Sequence, residues 1–124
     1  MKKLAVIITS PPISHFTQTA YQLIKDAISN ETQLIGVFFY QSGVLNASKY
    51  LSIPNDEFPL QKEWQILSRE HGVPYYLCST AAEKHGLIDT ENPLSTELIL
   101  DGFIIAGLGE LVELTLKADR VVQL

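Results

Sequence analysis

The chain has 124 residues, 46% hydrophobic and 19% charged, which fits one globular domain and excludes a disordered or fibrous class. Nine Lys and Arg against fourteen Asp and Glu leave a net charge of -5, so neither nucleic acid nor an anionic membrane has much electrostatic hold on it. A single cysteine excludes an internal disulfide, and a domain of this size buries about two-thirds of its unfolded surface without one.

Residues 3–9, with Leu4-Ala5-Val6-Ile7-Ile8, predict a strand buried on both faces, as at the centre of a parallel sheet. Behind Lys2 and Lys3 this run has the outline of a secretory signal. It stops at Thr9-Ser10-Pro11-Pro12, short of the roughly 7–15 apolar residues an h-region needs. No stretch approaches the about 20 apolar residues that span a bilayer, so the expected location is cytoplasmic. There the Asn30-Glu31-Thr32 and Asn46-Ala47-Ser48 sequons carry no meaning.

A helix is predicted over residues 15–29, with Phe16, Ala20, Leu23, Ile24, Ala27 and Ile28 as its apolar stripe. The nearly all-apolar residues 33–40 predict a second strand, and residues 44–51 a short helical stretch. Residues 52–58, with Pro54, Asn55, Asp56 and Glu57, read as loop. Pro59 suits the first position of a helix that places Leu60, Trp64 and Leu67 on one side and ends at Gly72. Residues 73–78 predict a third strand, 79–85 a short helix stopped by Gly86, and 87–96 a polar loop with Pro93. Residues 97–105 fit either a strand or a short helix broken at Gly102. A helix over 108–117 is expected to turn Leu111, Val112, Thr115 and Leu116 to the core, and 119–123 to close the sheet. Strands alternating with helices give an α/β class with a parallel sheet, in one domain over residues 1–124.

Cys78 is the main candidate for chemistry, at the carboxyl end of the third predicted strand and directly before a helix. Open α/β sheets place ligand sites outside the carboxyl ends of their strands. A helix amino terminus offers free N–H groups and a dipole that favour negative charge, hence the nucleophilic thiolate. Free cysteines are also among the most buried residues, so position alone leaves an inert structural thiol equally open.

Other polar residues say less. His71 and His85 each lie seven positions from Cys78, without a CxxC or HxxxH pair, so the three or four convergent ligands of a metal site are missing and neither metal nor cofactor is expected. His71 reads as a helix-end cation, His85 as a solvated helix-end residue near the thiol, and His15 as part of a loop. Gly107-Leu108-Gly109 is half of a dinucleotide fingerprint, but Val112 holds the third glycine position, which leaves a close-packing turn. Asp56-Glu57 reads as a solvated pair, and neither a Ser-His-Asp order nor a P-loop is present.

Taken together, Val37-Phe38-Phe39-Tyr40-Gln41-Ser42-Gly43-Val44, Trp64, His71-Gly72-Val73, Cys78, Ala81-Ala82 and Gly86 resemble the DsrE/DsrF-like sulfur-relay family. Asp101-Gly102-Phe103, Ala106-Gly107-Leu108-Gly109 and Ala118-Asp119-Arg120-Val121-Val122-Gln123 extend the resemblance over essentially the whole chain. It is looser over residues 11–19 and 87–98.

The resemblance implies a mainly parallel sheet of about five strands with helices on both faces. It also implies that Cys78 is the catalytic residue, carrying sulfane sulfur as a cysteine persulfide. By the same resemblance the expected partners are TusB- and TusC-like homologous subunits in a heterohexamer, a TusA-like sulfur donor and a TusE-like acceptor. The end product would be 2-thiolated wobble uridine in tRNA, with no direct contact between this acidic chain and nucleic acid. A carrier in dissimilatory sulfur oxidation uses the same cysteine position and stays open as the alternative, as does a non-catalytic subunit with a buried thiol. With no second cysteine in the chain, the acceptor thiol has to come from another protein.

Overall fold

The computed structural model of the chain describes residues 2–54, 56–92 and 95–124, so Asn55 and Pro93 of the two predicted loops lie outside the described residues. Among the described residues five strands pair in parallel in the order β4-β3-β2-β1-β5. They are β1 (Lys3–Ile8), β2 (Gln33–Phe39), β3 (Tyr75–Cys78), β4 (Phe103–Ala106) and β5 (Arg120–Gln123). The helices are α1 (His15–Ser29), α2 (Leu60–His71), α3 (Ser79–Lys84) and α4 (Leu108–Lys117), with a 3-10 segment over Gln41–Ala47. None of the described helices is long and apolar enough to cross a membrane.

Crossovers between parallel strands are right-handed, so the direction of each step decides which face its helix covers. The steps from β1 to β2, β3 and β4 run one way across the sheet and put α1 and α2 on one face, where they touch each other. The step from β4 back to β5 runs the other way, so α4 crosses the opposite face and packs on β1 and β2.

The two central strands justify their apolar runs. Val6, Ile8, Val37, Phe38 and Phe39 have no exposed surface. On the α1/α2 face Trp64 stands edge-on to Tyr21, Phe39 and Tyr75, with ring centroids 5.3, 5.5 and 5.7 Å away. Such pairs add about 0.5–1.5 kcal/mol each beyond the area they bury. The polar atoms under this cluster are satisfied: Tyr75 OH donates to Trp64 O at 2.7 Å, and Trp64 Nε1 donates to Asn46 Oδ1 at 3.2 Å. Burial also pushes the Tyr75 phenol far above its usual value, which keeps it a neutral donor.

Several expectations are corrected. In α1, Phe16 points to solvent at 65% exposure, and Thr17 and Tyr21 are buried beside Ala20 and Ile24. Thr17 turns inward because its hydroxyl meets Ser10 Oγ at 2.7 Å and donates to Pro11 O at 2.6 Å. The helical stretch expected over 44–51 is the tighter 3-10 segment and starts three residues earlier. Pro59 is the cap that precedes α2 and not its first residue. The loop after α3 is not polar throughout, since Leu87 and Ile88 are buried. Over 97–105 the strand alternative holds: Gly102 turns the chain at φ 100, and β4 then pairs with β3 from Tyr75↔Phe103 to Cys78↔Ala106.

The largest correction concerns α4. Leu114 is its buried residue and Leu111 is half-buried, whereas Val112, Thr115 and Leu116 face outward. Gly36 of β2 makes room for this contact, because a Cβ there would lie 2.9 Å from Leu114 Cδ2. Leu114→Ala is therefore expected to cost about 2–5 kcal/mol in urea unfolding. Leu116→Ala, at a side chain 80% exposed, should stay within about 0.5 kcal/mol of the parent. Equal losses for the two would contradict the orientation of α4.

Candidate active site

At the carboxyl edge of the sheet, the loop after β3 leads to one face and the loop after β4 to the other. Adjacent strands whose connections part in this way open a crevice, the usual ligand site of a doubly wound sheet. A cleft of about 430 Å³ occupies the place. Its lining takes Tyr40, Gln41 and Ser42 from the end of β2, Cys78, Thr80, Ala81, Lys84 and His85 from the β3–α3 unit, and Leu108 from the start of α4.

Cys78 is where the sequence places it, the last residue of β3 and the N-cap of α3, with φ -62 and ψ 120. Its side chain makes no capping hydrogen bond, so the sulfur is not committed to the backbone of α3. It is 1% exposed and lies at the floor of the cleft.

The opposite wall is held firmly. Tyr40 N donates to Ile8 O at 2.9 Å and Gly43 N to Tyr40 O at 2.8 Å, which ties the turn after β2 to the end of β1. Asn46, wholly buried, donates through Nδ2 to Gly43 O at 2.9 Å and to Ser10 O at 3.3 Å while accepting from Trp64. Gln41 takes a left-handed conformation at φ 51, which costs a non-glycine residue of order 1–3 kcal/mol. Strain of this kind persists only where the surroundings over-determine it, and here it lies on the rim beside the thiol.

The other candidates are dispersed. His85 shares the cleft with Cys78, at the carboxyl end of α3. His71 ends α2 and lines a separate hollow with Tyr21, Lys25 and Glu70. His15 begins α1 and lines a third hollow with Glu57, while Asp56 is exposed. Among the described residues no group of three or more His, Cys, Asp or Glu side chains is placed to hold a metal ion. Gly107-Leu108-Gly109 is not the close-packed turn expected, since a Cβ on either glycine would meet nothing within 4 Å. Its contribution is Leu108, which walls the cleft.

The DsrE/DsrF-like family model matches residues 2–124. The chain belongs to the DsrE/DsrF-like family. Two relatives are each named a sulfurtransferase TusD homolog. One, from Vibrio parahaemolyticus, is 44% identical over 115 residues, covering 89% of this chain and 87% of that protein. The other, from Haemophilus influenzae, is 39% identical over 107 residues, covering 85% of each. In three dimensions the chain is similar to the crystal structure of the ychN protein from E. coli, with a TM-score of 0.81, 25% identity and all of both chains covered. The five-stranded parallel sheet with helices on both faces is thus this DsrE/DsrF-like chain's fold by sequence and by shape.

Proposed function

We propose that this chain is a sulfurtransferase subunit of a sulfur relay and carries sulfane sulfur as a persulfide on Cys78. The observation that carries the reading is the place of that cysteine. The chain's single thiol lies at the floor of the switch-point cleft, in a chain 44% and 39% identical to two sulfurtransferase TusD homologs.

In the loading step the Cys78 thiolate attacks the outer sulfur of a donor persulfide. The new S–S bond forms on Sγ as the donor's S–S bond breaks, and the donor leaves as thiolate. Delivery reverses the roles: an acceptor thiolate attacks the outer sulfur and Cys78 leaves as thiolate, with no net oxidation. The donor is TusA-like, the acceptor TusE-like and the companions TusB- and TusC-like subunits of a heterohexamer, with the sulfur destined for the wobble uridine of tRNA. These finer assignments rest on the family resemblance. Loss of tRNA 2-thiouridine on deletion of the gene supports them, and unchanged 2-thiouridine favours sulfur oxidation instead.

The 1% exposure of Cys78 favours a second reading, an inert thiol in an interaction subunit. Two measurements separate the readings. Incubation with a sulfane-sulfur donor is expected to add a single sulfur to the intact mass of the folded protein. Iodoacetamide is expected to alkylate Cys78 under native conditions, more slowly than in the unfolded chain. No adduct and no native alkylation would establish the inert thiol.

A further inference from the structure

Charge is unevenly placed around the cleft. In a chain with a net charge of -5, the cleft lining includes Lys84 and His85 and, among the described residues, no Asp or Glu. Both side chains are exposed, and the ion pair found among the described residues is elsewhere, between Lys117 and Glu113. Among the described residues Lys84 thus has no carboxylate within 4.0 Å to neutralise it. Glu83, next to it in α3, is not part of the lining.

We propose that the cleft recognises a cysteine-bearing segment of its sulfur-exchange partner through a negative charge on that segment, received by Lys84 beside His85. The inference rests on Cys78 exchanging sulfur with another protein, and it names what that protein presents. A thiol 1% exposed at the floor of a cleft is reached by a chain segment, not by a flat surface. Because the acidic body of this protein repels acidic partners at large, the cation of Lys84 at the cleft gives such a segment one place to settle.

The spacing adds a register. Lys84 is six residues beyond Cys78 along the chain, a rise of about 9 Å at 1.5 Å per helical residue. An extended segment advances about 3.3 Å per residue, so with its cysteine at Cys78 the negative group falls about three residues away. In delivery the partner's thiolate attacks the outer sulfur of Cys78–S–SH, giving the partner's persulfide and the Cys78 thiolate. The charge contact moves no electrons and only holds the attacking sulfur in line.

The test uses short peptides whose single cysteine is activated as a 2-pyridyl disulfide. Attack by Cys78 then gives a peptide–Cys78 disulfide and releases thiopyridone, which is read by absorbance. A peptide with glutamates three residues from its cysteine is expected to react at least about tenfold faster at low salt than the same peptide with lysines there. The gap should close at about 0.5 M salt. Lys84→Gln should abolish the preference and Lys84→Glu should reverse it, which a merely structural role for Lys84 would not do. Equal rates for both peptides, a preference that survives Lys84→Glu, or no capture of either peptide would each overturn the inference. Sulfur loading of the same protein is measured separately by mass. Loading without a peptide preference removes only this inference, and a preference without loading removes only the persulfide assignment.

Discussion

Cys78→Ser is expected to abolish sulfur loading completely while leaving stability nearly unchanged. A serine side chain has no sulfur on which a persulfide can form, and no other thiol in the chain can substitute. The structural cost is small for a specific reason. Cys78 is the N-cap of α3, with extended backbone angles and no capping hydrogen bond from its side chain. Serine is among the preferred N-cap residues, because its oxygen accepts an N–H of the first turn, typically worth about 1 kcal/mol. That bond offsets the penalty of about 1–3 kcal/mol for burying an unpaired hydroxyl at a site 1% exposed. Intact mass after incubation with a sulfane-sulfur donor reads the chemistry, and thermal unfolding reads the fold. A serine variant that gains the single-sulfur adduct would remove Cys78 from the reaction. A variant that unfolds early would show that its thiol serves packing.

The strands and α1–α2 were legible because their signals are local. Continuous apolar runs mark strands buried on both faces, and a 3.6-residue stripe marks a helix on a sheet. Where a helix is apolar on two sides, the same signal fails. In α4, Leu108, Val112 and Leu116 lie four apart and form a tidy stripe, yet Leu114 and Leu111 meet the sheet. The reason is a long-range one: α4 seats where Gly36 of β2 leaves a hollow, and no pattern within α4 reports a glycine 78 residues earlier. Phe16 and Thr17 exchange roles for a similar reason, since Thr17 finds its partners in Ser10 and Pro11.

At the site, the place of Cys78 was legible from its position at the end of a predicted strand and the rule for carboxyl ends, and that of His85 from its closeness to Cys78 in sequence. Tyr40 ends the second predicted strand and Gln41 and Ser42 follow it, and the same rule places them on the same edge, although nothing local marks them for chemistry. Lys84 carries no signal of its own in the sequence, being one charge in the last turn of a short helix. Asn46 read only as part of a sequon. Its work, joining Gly43, Ser10 and Trp64, depends on contacts with residues up to 36 positions away.

The same wall gives a large expected loss of stability, from Gly43→Ala. A Cβ at Gly43 would lie 2.0 Å from Ile8 O, 2.8 Å from Ile8 C and 3.3 Å from Thr9 Cα. These are main-chain atoms of β1 and its exit, which no rotamer change moves aside. The carbonyl in question also accepts Tyr40 N–H, so relief of the clash works against that bond. Any shift of Gly43 carries with it the Asn46 contact to its carbonyl and, through Asn46, the link to Trp64. Overpacking alone costs about 1–3 kcal/mol and each lost hydrogen bond about 0.5–1.5, so a loss of about 3 kcal/mol or more is expected. For a domain of this size that lowers Tm by roughly 10 °C. Gly109→Ala is the control: its Cβ meets nothing within 4 Å and lies inside α4, where alanine gains about 0.5–1 kcal/mol over glycine. Because Gly43 anchors the turn that carries Tyr40, Gln41 and Ser42, surviving folded Gly43→Ala protein should also load sulfur more slowly than wild type. A Gly43→Ala variant that melts with the parent would mean that the turn after β2 does not pack on β1 as described, and the cleft would lose its fixed wall.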